Sequence, residues 1–242
     1  MISFISFDKL HRQYGFSLIE MAIVLVILGL LLGGLIMPLT SQREVAQREA
    51  TERQLQEIRN AIVGFAQINN RLPCPAAPGT NGVEFRFATG PNTGNCRATS
   101  TPLLPFQALG IHGNIIGRDL VDAWQRPIRY RLTNPTGANW SYARWLTPFP
   151  AQLPSFRICN DTACGTNQII ATEVAAVAFS TGPDGASPSP SISPDQQENQ
   201  DVDDDFVMRP HTGDARTDQE FDDILVWISG PTLVYELSRA GQ

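Results

Sequence analysis

The sequence lacks the short patterns on which most hydrolases and nucleotide-binding enzymes depend. It has no Gly-x-Ser-x-Gly elbow, no His-Glu-x-x-His helix and no glycine-rich phosphate loop. No Cys-x-x-Cys brings two thiolates together, and His112 and His211 stand apart from the cysteines, so a structural zinc site is not expected. Asp222 and Asp223 are adjacent acids, but neighbours on a strand point to opposite faces and make a poor acid/base pair. Catalysis is therefore not expected. There is no internal repeat, and charged residues make up only 17% of the chain.

What the chain does have is one apolar run of membrane length. From Phe16 to Leu39 the residues are apolar or small except for a single carboxylate, Glu20. Such a run can cross a bilayer as a helix. A charge inside it costs about 2.5 to 3.5 kcal/mol on insertion scales, so an opposite charge is expected nearby. The polar stretch ahead of it carries Lys9 and Arg12 against Asp8, which favours retention on the cytoplasmic side. A secretory signal is cut after its apolar core, following small residues. Here the glycine, Gly15, precedes the core.

Gly15, Phe16, Ser17, Leu18, Ile19 and Glu20 together resemble the start of the type IV pilin and pseudopilin superfamily. The resemblance implies a leader, residues 1–15, cut after Gly15 by a prepilin peptidase, and a new terminus on Phe16 that becomes N-methylated. Cleavage would place a positive amine in lipid, and Glu20 lies about one helical turn from it. In the family that carboxylate pairs with the Phe16 amine of a neighbouring subunit and sets the register of a filament. The implied fold is α+β and pilin-like, with a long N-terminal helix on a small antiparallel sheet. The implied location is the bacterial inner membrane, single-pass, with the head in the periplasm or on a surface filament. The expected partners are the peptidase, other pilin or pseudopilin subunits and the membrane. Nucleic acid is not expected.

Beyond the apolar run, residues 40–71 keep a helical period, with Leu55, Ile58, Ile62 and Phe65 three or four apart. One helix from Phe16 to about Asn69 would be roughly 80 Å long. Gly29, Gly33, Gly34 and Pro38 weaken its middle, either as a place where the helix yields in a filament or as small residues for close packing. Residues 72–242 leave roughly 170 residues, enough for one well-buried head domain. After a loop rich in Pro, Gly, Asn and Thr, Ile128, Tyr130 and Leu132 alternate with Arg129 and Arg131 as in a half-buried strand. Residues 140–145, 155–159 and 173–181 are further strand candidates, and 224–228 reads as a buried strand followed by a helix start at Ser229, Gly230 and Pro231. Trp124 ahead of Pro127 and a tyrosine-bearing strand is similar to the major pseudopilins of type II secretion. There the tryptophan is usually followed by glycine, where this chain has Gln125.

Four cysteines in an exported chain point to disulfides. Of three pairings, Cys74 with Cys96 and Cys159 with Cys164 close the local loops, and the sequence leaves the choice open. The segment 182–223 holds twelve acidic residues against two arginines, so it carries −10 of the chain's −6 and the remainder carries +4. Its composition reads as a solvated, partly disordered insertion. Clustered oxygens also suit calcium, although the spacing is not that of an EF-hand. In major pseudopilins a similar loop between a Gly-x-Asp-Gly turn and an Asp-x-aliphatic strand holds calcium. That resemblance transfers to Asp184 and to Asp222 or Asp223. A contrasting role, binding DNA or another ligand, would draw on Arg126, Arg129, Arg131 and Arg144 beside Tyr130, Trp140, Tyr142 and Trp145.

Overall fold

The computed structural model describes residues 17–69, 71–90, 95–133, 155–185, 193–201, 203–212 and 220–240, with the side chains of 31–41 excepted. The Gly15 and Phe16 processing site and Trp140, Tyr142, Arg144 and Trp145 lie outside the described residues. The chain divides into two compact units, Met1–Ala46 and Gln47–Gln242. A single helix, α1 (Leu18–Asn69), runs through the boundary.

In the first unit the described side chains of residues 17–30 are all exposed, apolar ones included, from Leu18 to Leu30. A helix apolar on every side needs an apolar surrounding rather than one partner face. Among the described residues no helix is long and apolar enough to cross a membrane, and the described side chains of this run end at Leu30.

The second unit begins with the amphipathic half of α1. Its buried stripe is Thr51, Leu55, Ile58, Ile62 and Ala66. Phe65, expected to continue the stripe, is only half-buried, with the Arg71 guanidinium 4.9 Å from its ring centre, and Ala66 takes the inward place. Side-chain amides sew this half of the helix to backbone carbonyls. Gln47 donates to Ala123 at 3.1 Å and Gln54 to Val121 at 3.0 Å. Further along, Arg59 donates to the Trp227 carbonyl at 3.1 Å.

The helix covers a five-stranded sheet made of β3 (Arg129–Leu132), β4 (Phe156–Cys159), β5 (Ile169–Ser180), β6 (Asp205–Val207) and β7 (Ile224–Ser229). A separate two-stranded hairpin joins β1 (Ile115–Ile116) and β2 (Asp119–Leu120). Long β5 is the hub. Ala176 faces Leu132 on one side and Ile228 on the other, and Val174 likewise faces Phe156 and Ser229. β3 and β4 therefore lie end to end along one edge of β5, with β7 along the other. Three of the pairings are antiparallel, but β4 and β6 run parallel, so the expected small antiparallel sheet is a mixed one. The fourth pairing arises because β6 belongs to the acidic insertion, whose charge density gives no strand signal in the sequence.

Both faces of β5 are covered, as its unbroken apolar run requires. Ala175, Ala176 and Ala178 share one cluster with Leu55, Ile58 and Ile62 of α1. On the opposite face Val174, Val177 and Phe179 pack with Phe156 and Phe206. The switch of parity at Ala175 and Ala176 falls at a register shift, two residues after Glu173 at φ 56°, the signature of a bulge. Small alanines on the helix side let α1 approach the sheet closely. Helix α3 (Gly230–Arg239) follows β7 directly, capped by the Ser229 hydroxyl, which accepts from the Thr232 amide, and it buries Leu233 and Leu237.

The insertion is also built into the head where it is described. Gln196 and Asn199 of helix α2 (Pro194–Gln200) and its N-cap Ser193 are fully buried polar residues, and β6 joins the sheet, which corrects the reading of a solvated, partly disordered insertion at these residues. A disulfide joins Cys74 to Cys96 and another joins Cys159 to Cys164, consistent with closure of the two local loops.

Candidate functional site

Two places carry chemistry that packing alone does not require. The first is the start of α1. Ser17 caps the helix, its carbonyl accepting from the amides of Glu20 and Met21 at 3.1 and 3.2 Å and its hydroxyl from Glu20 at 3.3 Å. Ser17 and Glu20 thus stand at N-cap and N3, the spacing of a capping box. The Glu20 side chain is exposed and forms no ion pair among the described residues. It sits among exposed Leu18, Ile19 and Met21, a carboxylate on an apolar surface.

The second place is the junction of β5, α2 and β7, where the sequence marks Asp184, Asp222 and Asp223. The turn after β5 brings Asp184 to Asp222, with the Asp184 amide 3.5 Å from the Asp222 Oδ2. Gly182 makes that approach possible. Its φ is +64°, and a Cβ there would lie 2.5 Å from the Asp222 carboxyl carbon. The Gln196 amide nitrogen donates to Asp222 Oδ1 at 2.5 Å and reaches both Asp184 oxygens at 3.3 and 3.4 Å. Asp223 faces a different partner: the Asn199 amide nitrogen donates to its Oδ2 at 2.8 Å. The structure thus joins Asp184 with Asp222 and gives Asp223 an amide of its own.

Burial, followed by the nearby Asp184 charge, pushes Asp222 up to about 7. Burial holds Asp223 well above the ordinary carboxylate range, outweighing its Asn199 bond and the more distant Arg129. Asp223 Oδ1 is buried without a hydrogen-bond partner among the described residues, as suits a carboxyl that keeps its proton. As amides turned inward, Gln196 and Asn199 escape a sequence reading that counts Asn199 only among the clustered oxygens and leaves Gln196 out. Their signal was present: Ser193-Pro194-Asp195-Gln196 is a capping box with proline at the first helical position, and the structure forms both of its bonds.

Calcium requires six to eight oxygen ligands. Here an amide nitrogen, its hydrogens directed at the carboxylates, occupies the space between Asp184 and Asp222. Among the described residues the donor set does not fit the cation that the resemblance implies. A second acidic group, Glu198, Asp203 and Asp205, brings three carboxylate oxygens within 4.8 Å of one another. Asp205 is ion-paired with Arg157, and burial together with Asp203 raises Glu198 to about 7.

Neighbouring Asp122 completes the polar end of the sheet. Its Oδ1 accepts from the amides of Trp124 and Arg126 at 2.8 Å, and its Oδ2 accepts from the Ser180 hydroxyl at 2.5 Å. Within that turn Gln125 has φ 66°, the conformation that glycine adopts freely. The described arginines of the basic strand face have partners within the head. Tyr130 is wholly buried, Arg126 donates to the Pro183 carbonyl, and Arg131 is spent on the carbonyls of Asp201 and Asp203.

A family described as the prokaryotic N-terminal methylation motif matches residues 10–36. The chain carries a prepilin-type motif. That match spans Gly15, Phe16 and Glu20 together with the capped helix start, and it supports a pilin-like or pseudopilin-like protein that a prepilin peptidase processes and that assembles with other such subunits. No curated protein and no solved structure matches the chain.

Proposed function

We propose that this chain is a structural subunit, minor or specialised, of a filament of the type IV pilus or type II secretion class. The observation that carries the reading is the methylation motif over residues 10–36, with Glu20 at the third position of a helix capped by Ser17. Cleavage after Gly15 leaves Phe16 as the amine, the run 16–39 seats in the inner membrane, and the head lies in the periplasm. A carboxylate in lipid is stable only beside an opposite charge, and an amine at the same depth on the next subunit supplies one. The work is structural rather than catalytic. The acidic insertion folds onto the head and enlarges it, which suits a subunit used sparingly rather than one repeated along a whole filament. Intact mass and N-terminal sequencing of the protein extracted from membranes test the reading. A mature chain beginning with N-methylated Phe16 is expected, and a chain beginning at Met1 or after residue 39 overturns it.

A further inference from the structure

We infer that helix α2 holds the head's acidic cluster by amide hydrogen bonds in the place of a bound cation, so that the head folds without calcium. The inference does not rest on filament assembly and survives if that reading fails.

The geometry fixes which end of each amide meets the carboxylates. Gln196 Oε1 is committed to the Ser193 amide at 3.0 Å and the Ser193 hydroxyl at 3.1 Å, so its nitrogen must face Asp184 and Asp222. Turning the amide over would set a nitrogen against a buried N–H and leave that donor without an acceptor. Asn199 is held more tightly still. Its Oδ1 accepts from the Val207 amide at 2.8 Å while its nitrogen donates to the Val207 carbonyl at 3.0 Å, and the second amide hydrogen goes to Asp223. Both residues are 0% exposed and lie three apart on one face of α2. A cation placed between Asp184 and Asp222 would confront N–H dipoles with their positive ends toward it, and α2 would have to leave to admit the oxygens that calcium needs. The same helix is fixed at its start by the capping box and at its end by β6, so that departure would break backbone bonds as well.

The test is thermal unfolding of the full chain in detergent, in millimolar calcium chloride and in excess chelator. The wild type is expected to show one midpoint in both. Gln196→Met, which removes the donor and keeps the bulk, is expected to lower the midpoint by about 4 °C or more in both solutions without rescue by calcium. A calcium-dependent rise in the wild type, or an unchanged midpoint in Gln196→Met, overturns the inference. If Gln196→Met does not accumulate as folded protein, Asp222→Asn decides. It keeps the acceptor for Gln196 and is expected to leave the midpoint at pH 8 equal or higher, again without calcium response. A lower midpoint for Asp222→Asn overturns the inference.

Discussion

At Gln125 a side chain occupies a backbone conformation that glycine takes without cost. Its φ of 66° belongs to the turn between the Val121 and Pro127 bridge partners, held by four hydrogen bonds within residues 122–126. A non-glycine residue there is strained by about 1 kcal/mol. Gln125→Gly should therefore raise the head's stability by up to about 1 kcal/mol, read as a higher thermal midpoint, and a lower midpoint would contradict the strain. Two carboxylates respond to pH in opposite directions. Burial alone would raise Glu84, but its bidentate pair with Arg71 at 2.6 and 2.8 Å and the Cys74 amide at 2.6 Å bring it below its ordinary value. A lowered folded value means that its contribution is present above the ordinary range and is lost as pH falls through the lowered value. Asp222 is raised to about 7, so its contribution is complete at low pH and is lost as pH rises from the ordinary carboxylate range through about 7. Asp222→Asn is accordingly expected to stabilise by roughly 1–3 kcal/mol at pH 8 and by almost nothing at pH 4, measured by denaturant unfolding.

At the scale of elements, the contact between α1 and β5 depends on small side chains. Ile62 of α1 shares a narrow crevice with Ala176, Ala178, Val226 and Ile228, leaving no room for a longer residue at the alanines. Ala176→Leu should destabilise the head by about 1–3 kcal/mol through overpacking, whereas a surface change such as Tyr235→Ser should be near neutral. The same element shows what the sequence makes legible. The alternation at Ile128, Tyr130 and Leu132, the apolar run before Ser180 and the Ser-Gly-Pro helix start each obey a local rule, and each lies in the expected element except Ile128, which immediately precedes β3. Thr51 and Ala66 escaped because neither advertises burial: a threonine whose hydroxyl accepts from the Ala123 amide and an alanine that merely leaves space. α2 escaped for another reason. Ten net negative charges suggest solvent, and only the capping box reveals that two uncharged amides among them face inward. The parallel pairing of β6 with β4 is a tertiary choice that no periodicity encodes.

For the whole molecule, the apolar run and the head answer to different substitutions. Glu20→Leu removes the only charge in the run 16–39 and leaves every described head contact untouched. Membrane insertion and the thermal midpoint of the head should remain as in the wild type while co-purification with partner subunits falls at least tenfold, and unchanged incorporation would sink the role given to Glu20. The motif over residues 10–36 was legible because it needs particular residue types at a fixed spacing. The amide clamp of the head was not, because it depends on residues 184, 196, 199, 222 and 223 meeting in space.

The end-to-end placement of β3 and β4 on one edge of β5 has its own outcome for how such a head can change. Thr133 and Ser155 close the interval with hydrogen bonds of 2.9 and 3.0 Å, so the chain departs and returns at one latched gate. Once the ends of a chain interval are joined, its length adds little, about 0.6 kcal/mol for each doubling. The head is in this respect a socket: the sheet is closed at the gate by its own hydrogen bonds, whatever length of chain runs between them.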